Sequence, residues 1–255
     1  EKPQITQTQA QAYAQPMATF ATKFATSNAS RSHNIAQALR AFDGYILPPQ
    51  AEVSFNQTTG VRNQQNGYLP AKIIQNGTYV EGYGGGVCQA STTLYNAALL
   101  AGLTITEVHA HSLQVGYVQA GFDAMVNIGS SDLKIKNPFP YPVLFSTKVE
   151  NGTCQVTVYG KPSGLTIERQ SKVVKTLPAP KPKIKKANTY NGEPLYLGQQ
   201  IWQTYGKAGA QTQSYIHIYK NGKKIDTQKI RENYYASTQG VVIEGTTPCP
   251  EDVFT

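Results

Sequence analysis

Apolar residues recur along this chain in two rhythms, and the rhythms divide it. In "RSHNIAQALRAFDG", residues 31 to 44, Ile35, Ala38, Leu39 and Phe42 return at helical spacing and Gly44 supplies a stop, which predicts a helix. "AEVSFNQTTG" alternates, with Val53 and Phe55 inward before a turn, and predicts a strand. "AKIIQNGTYVEG" predicts a hairpin that bends at Asn76 and Gly77. "CQASTTLYNAALLAGL" predicts a second helix, with Leu94, Ala97, Ala98 and Ala101 on one face and Gly102 just past its end. From Leu103 onward the period shifts to that of strands: "TITEVHAHS", "AMVNIGS" and "DLKIKNPFPYPVLFSTKVENGTCQVTVYG", the last a two-strand meander turning at Asn151 and Gly152.

The pattern predicts an α+β body, an antiparallel sheet with a few helices, followed by a small all-β domain. Residues 1–16, rich in Gln, Thr and Ala, read as a linker or a frayed helix, and the body runs over 17–163. Residues 164–187 form a Pro/Lys-rich linker, or the first strand of the next domain, because proline holds itself and its predecessor extended. Residues 188–255 make the β module, which alternates around an Asn221–Gly222 hairpin. His217 shares a strand face there with Tyr215 and Tyr219, a surface or stacking position, and the module's sequence holds no cluster of acid, base and nucleophile.

Composition narrows this picture. A chain of 255 residues buries a sizeable core, and its polarity lies in Gln, Asn, Thr and Ser as much as in charge, a composition suited to β-rich extracellular proteins. The formal net charge is +8, and "SKVVKTLPAPKPKIKK" concentrates lysines; nucleic acid, an anionic membrane and an anionic wall polymer are the partners such charge suits, and a solvated linker is the plain alternative. No run of 18 apolar residues and no charged-then-apolar leader occurs, so any leader or anchor is expected upstream of Glu1. Three cysteines are too few for a disulfide framework, and none of their spacings suits zinc. A Cys154–Cys249 pair is one reading. The other, favoured because Cys154 sits mid-strand, is a buried free cysteine.

The third cysteine is different. Cys88 follows three glycines and opens a helix, in "YVEGYGGGVCQASTTLYNAALLAGL". Glycines there serve geometry, either positive φ or close approach, and a helix N-terminus lowers a thiol pKa. N–H groups of Gly85, Gly86, Val87 and Gln89 are candidates to hold an oxyanion. A thiolate nucleophile needs a base, and "HAHSLQVGY" offers His109 and His111, on one face of a strand with Ser112 on the other. Asp123 in "GFDAMV" is the candidate to orient a histidine ring. A metal is not expected, since H-x-H supplies two ligands and no third, and the glycines lack the Lys and Ser/Thr of a phosphate cradle. No cofactor is expected either.

From about Ala18 to Gly160, the glycine-cysteine-helix block, the H-x-H-S and the G-x-D-A motif resemble the VanW domain, and the tail from about residue 166, with its hairpin and closing "VIEGT", is similar to a five-glycine β module. The resemblance implies an extracellular Gram-positive envelope protein, wall-associated or anchored by a segment outside this chain. It implies an L,D-transpeptidase in which Cys88 attacks the third residue of a tetrapeptide stem, expels D-alanine and yields a 3-3 cross-link. His111 would be the base and Asp123 its orienter. Arg31, Asn34, Arg62, Ser91, His109, Ser112 and Tyr117 would bind the carboxylate-bearing stem. Stem peptides, with anionic wall polymers, are the implied partners, not nucleic acid, and the membrane only through an anchor outside the chain. The alternatives are the same thioester resolved by water, giving a carboxypeptidase or endopeptidase, and a non-catalytic wall-binding module.

Overall fold

The computed structural model describes residues 15–75 and 78–249. Most of the structure is antiparallel sheet, with three helices among the described residues. The described residues divide into two compact units: the larger comprises residues 15–75, 78–111, 115–172 and 213–233, and the smaller 112–114, 173–212 and 234–249.

The larger unit is built around one buried helix. Strand β1 (Gln15–Lys23) pairs with β9 (Thr153–Gly160), which pairs with β8 (Val143–Glu150), which pairs with β2 (Tyr45–Leu47), all antiparallel. A second sheet joins β3 (Glu52–Ser54), β7 (Lys134–Lys136) and β6 (Thr104–Glu107). Helix α1 (Ala29–Arg40) starts at Asn28, whose side chain accepts the Arg31 N–H at 2.9 Å. The expected apolar face, Ile35, Ala38 and Leu39, is buried, and so is Phe42 just beyond, which stacks on Phe55 and meets Phe145 edge-on. Strands β4 (Pro70–Gln75) and β5 (Thr78–Tyr83) form the expected antiparallel ribbon; the bend at Asn76 and Gly77 lies outside the described residues.

Helix α3 (Val87–Leu100) packs against β1, β9, α1 and β6. Its end matches the sequence: Gly102 has φ +79, the Leu103 N–H bonds the Ala98 carbonyl and the Gly102 N–H bonds that of Leu99, a Schellman closure. Its face does not. Leu94, Ala97, Ala98 and Ala101 are buried as expected, but so are Gln89, Ser91, Thr92, Thr93 and Asn96, so the helix is enclosed on every side. Buried polar side chains must be hydrogen-bonded, and these are.

Two expected strands are shorter than read. "AEVSFNQTTG" is extended only over β3; at Phe55 it becomes a short helix, α2 (Phe55–Thr59), because Ser54 caps it by accepting the Gln57 N–H at 3.0 Å. Val53 and Phe55 are nevertheless both inward. "AMVNIGS" is not a strand, and "TITEVHAHS" is one only over β6. Between them single bridges, His109 with Met125 and Asn127 with Ser131, replace a ladder. His109 and His111 therefore do not share a strand face. A register shift between Ile105 and Glu107 ends the regular pairing, and Asp132 and Glu107 take backbone N–H groups that a ladder would have used.

The meander at Asn151–Gly152 and the hairpin at Asn221–Gly222 form as read, the latter joining β15 (Gly209–Lys220) to β16 (Lys223–Tyr235), beside β10 (Leu165–Leu177). These strands contribute Leu165–Lys172, Gln213–Lys220 and Lys223–Asn233 to the larger unit. In the smaller unit β11 (Lys183–Ala187) runs parallel to β17 (Val241–Gly245), which pairs antiparallel with β14 (Gln200–Thr204), while β12 (Thr189–Tyr190) and β13 (Glu193–Pro194) make a short ribbon. All three cysteines are free, which removes the Cys154–Cys249 pair. Among the described residues no helix is long and apolar enough to cross a membrane, and no cluster of three metal-ligating side chains occurs.

Candidate active site

The glycines aim the cysteine by letting three backbones converge. Gly84 and Gly86 hold φ of +83 and +105, conformations that L side chains rarely adopt. Gly85 lies so close to the Lys72 carbonyl that a Cβ would stand 2.6 Å from its oxygen, and a Cβ on Gly86 would stand 2.9 Å from the Arg31 carbonyl oxygen. Gly86 is the residue that starts α3, and Cys88 is in the helix's first turn.

The other parts of the site arrive on one folded segment, held to α3 by its polar side chains. Ser91 Oγ donates to the Ala124 carbonyl at 2.6 Å, Thr92 Oγ1 accepts the Ala124 N–H at 2.9 Å, and Asn96 Nδ2 donates to the Phe122 carbonyl at 2.8 Å. Asp123, between these anchors, has its carboxylate fixed. Its Oδ2 accepts both the backbone N–H and the Nδ1–H of His111, each at 2.7 Å, and its Oδ1 accepts Arg231 Nη2–H at 3.1 Å. The three side chains are buried, with 6%, 1% and 10% of their surfaces exposed for His111, Asp123 and Arg231. Since Nδ1 serves Asp123, Nε2 is left to meet the Cys88 sulfur, with which His111 hydrogen-bonds. The thiol also reaches the Val126 carbonyl, at 3.4 Å.

The electrostatics follow from this order. Burial alone would push the Cys88 thiol up; the hydrogen bond and charge of His111, with the charge of Arg62, outweigh it and leave the thiol below its ordinary value. Burial would pull His111 down, yet its bonds to Asp123 and Cys88 hold it up at about 9. The pair is therefore biased towards a thiolate beside an imidazolium. Tyr117, its phenol hydrogen-bonded to Thr92, is held well above its usual value by burial and by the neighbouring sulfur charge, so it stays a neutral hydroxyl.

Of the other residues singled out in the sequence, Arg62 and Tyr117 also lie within electrostatic reach of the sulfur. Arg62 lies across the Phe55 ring, donates Nη2–H to Asn56 Oδ1 at 2.7 Å and has a buried Nη1 with no hydrogen-bond partner. Arg31 stands one residue removed, donating to Ser27 Oγ at 2.6 Å and Gln89 Oε1 at 2.7 Å. Asn34 and Ser91 are spent on architecture: Asn34 donates to the Leu69 and Gly85 carbonyls and accepts the Leu69 N–H, clamping the glycine turn. His109 turns to Glu107, at 2.9 Å, and Ser112 is exposed, its carbonyl accepting the Ala236 N–H. Among the oxyanion candidates, the Val87 and Gln89 N–H groups are occupied by the Gly84 and Gly86 carbonyls, leaving those of Gly85 and Gly86; the Cys88 N–H in the first turn of the helix, which was not among the candidates, adds to them. Sequence reasoning missed Thr92, Asn96 and Arg231. For Arg231 no signal existed, because its partner lies 108 residues away along the chain.

A cavity of about 570 Å³ is lined by Lys23, Asn28, Arg31, Lys72, Tyr117 and Gln89, the residue after Cys88, among others. Comparison with known proteins adds the last element. The family model described as VanW like protein matches residues 30–159, just over half of the chain, and contains Cys88, His111 and Asp123.

The chain belongs to the VanW-like family.

This cell-wall-related VanW-like chain is 41% identical over 145 residues to the uncharacterized protein YoaR of Bacillus subtilis (strain 168), a match covering 57% of this chain and 48% of that protein, so it spans about half the length of that relative. Among solved structures it is similar to HP0197-G5, at 22% identity over 32% of this chain and all of that one, with a TM-score of 0.18. It is also similar to the G5 domain of an IgA1 protease, at 13% identity over 32% of this chain and 93% of that one, with a TM-score of 0.21. Arg231 lies outside the VanW-matched residues.

Proposed function

We propose that this protein is a cysteine-dependent L,D-transpeptidase of peptidoglycan, working outside the membrane in the cell envelope. The observation that carries the reading is the buried relay of Arg231, Asp123, His111 and Cys88, in which each group orients or charges the next. The Cys88 thiolate attacks the carbonyl carbon of the third stem residue, and the tetrahedral oxyanion is met by the Cys88 N–H at the start of α3. His111 Nε2–H then gives its proton to the amine of the departing D-alanine as the C–N bond breaks, leaving a thioester. The amine of a second stem attacks the thioester carbon, passes a proton to His111 and expels the thiolate, so a 3-3 cross-link forms and the imidazolium–thiolate pair is restored.

The test is mass spectrometry of tetrapeptide-bearing muropeptides incubated with the protein or with Cys88→Ala. Dimers that have lost one D-alanine, formed only with the native cysteine, are the expected result. Cysteine-dependent tripeptides without dimers would make water the acceptor and the protein a carboxypeptidase. Muropeptides unchanged by either protein would remove the catalytic reading and leave a wall-binding one.

A further inference from the structure

The cavity lined by Gln89 and Tyr117 is unlike an ordinary surface cleft in its charge. Three cationic side chains, Lys23, Arg31 and Lys72, line it, and no carboxylate does. Arg31 is already in place: its bonds to Ser27 and Gln89 use one N–H each of Nη1 and Nη2, and three of its five donors remain for a ligand. The first turn of α1 also faces the cavity through Asn28, and it holds no acidic residue to offset its N–H groups. A cavity of about 570 Å³ lies within the usual range for small ligands.

Its position is as telling as its charge. Gln89, which follows Cys88 in the helix, holds Arg31 at 2.7 Å, and Tyr117 lines the cavity while lying within the field of the Cys88 sulfur. A carboxylate one residue beyond an attacked carbonyl lies roughly 3.5 Å farther along an extended chain. The cationic wall is hydrogen-bonded, through Arg31, to the residue that follows the nucleophile in the chain.

We infer that this cavity is the seat of the free carboxylate of the donor stem's terminal D-alanine, with Arg31 gripping it and Lys23 and Lys72 supplying the surrounding charge. The assignment rests on the transpeptidase reading for the identity of the ligand.

Affinity separates this inference from the reaction itself. Titration calorimetry on Cys88→Ala would compare the tetrapeptides L-alanyl-γ-D-glutamyl-X-D-alanine, with X either L-lysine or meso-diaminopimelate, as free C-terminal acids and as C-terminal amides. The acid should bind about tenfold or more tightly than its amide, and Lys72→Glu, a change to an exposed side chain, should abolish that preference. The preference should also shrink as salt rises. Equal affinities for acid and amide, binding of neither, or a preference untouched by Lys72→Glu would each overturn the inference. A clear acid preference in a protein whose wild type leaves muropeptides unchanged would keep the cavity's role and sink the transpeptidase instead.

Discussion

Helix α3 meets two cysteines that teach opposite lessons. Cys88 is in its first turn, and Cys154, on β9, reaches its flank through Thr93 Oγ1 at 3.4 Å and lies 3.1 Å from Thr22 Oγ1. Cys154 is fully enclosed among hydroxyls and apolar side chains, whereas Cys88 meets an imidazole that is itself held by a carboxylate. Burial does not set the chemistry: Cys154 is fully enclosed and Cys88 half-buried, and what differs for reactivity is the charge beside the sulfur. A thiol becomes a nucleophile when something beside it carries the compensating positive charge, and becomes core when nothing does.

The largest expected break in that contrast is Cys88→Ala, which should abolish cross-linked dimers, while Cys154→Ala should leave turnover near the wild-type rate; muropeptide mass spectrometry reads both. Loss of turnover on changing Cys154 alone, in a protein that still melts cooperatively, would mean the two thiols had been assigned the wrong way round. Next is His111→Gln, expected to lower turnover by about 10²- to 10⁴-fold, since proton transfer is lost and the thiol returns towards its ordinary value.

The pH dependence sharpens the same point. His111 is raised from 6.5 to about 9, so its contribution to stability is present below pH 6.5 and is lost as pH rises through about 9. Cys88 is lowered from 9.0, so its contribution is present above that value and is lost as pH falls through the native one. Once the pH exceeds the native thiol value, the native pair holds one proton on the imidazole, and up to pH 9 the unfolded chain holds one on the sulfur. Between pH 6.5, or the native thiol value where that is higher, and about 9 the two slopes offset, and urea stability should show little pH dependence from this pair. Reactivity is different: in a Cys249→Ser background, which removes the exposed thiol, iodoacetamide should alkylate Cys88 well below pH 9, and His111→Gln should move the profile upward. An unshifted profile would deny His111 its role.

Arg231→Met is a smaller step, expected to slow alkylation at neutral pH by about tenfold and to cost about 1–3 kcal/mol in a urea melt, because Asp123 loses a buried charged partner. A melt that shifts while the alkylation profile stays put would confine Arg231 to packing. Smallest is Cys154→Ala, with a loss of about 1 kcal/mol and no change in the profile of Cys88.

Much of this was legible in the chain. The spans of α1 and α3, the Asn-Gly turns at 151–152 and 221–222 and the placement of Cys88 behind glycines all depend on neighbours within a few residues, and each was read with little error. What failed did so for one reason. "NQTT" became helical because Ser54 found the Gln57 N–H, and "AMVNIGS" remained irregular because its backbone is tied to Ser91 and Thr92 of α3 instead of to a partner strand. Alternation describes which residues point inward; it does not say whether a ladder or a side chain will satisfy the backbone between them.

The candidate site divides along the same line. Sequence alone set a cysteine at a helix start, two histidines to choose between, and an acid within reach, since residue type and local spacing fix those. Tertiary structure chose His111 over His109, turned the buried polar side of α3 into the anchor for Asp123, and brought Arg231 to it from 108 residues away. Hydrogen bonds and buried charge act over about 3 Å in space, and a sequence carries no measure of that distance until it folds.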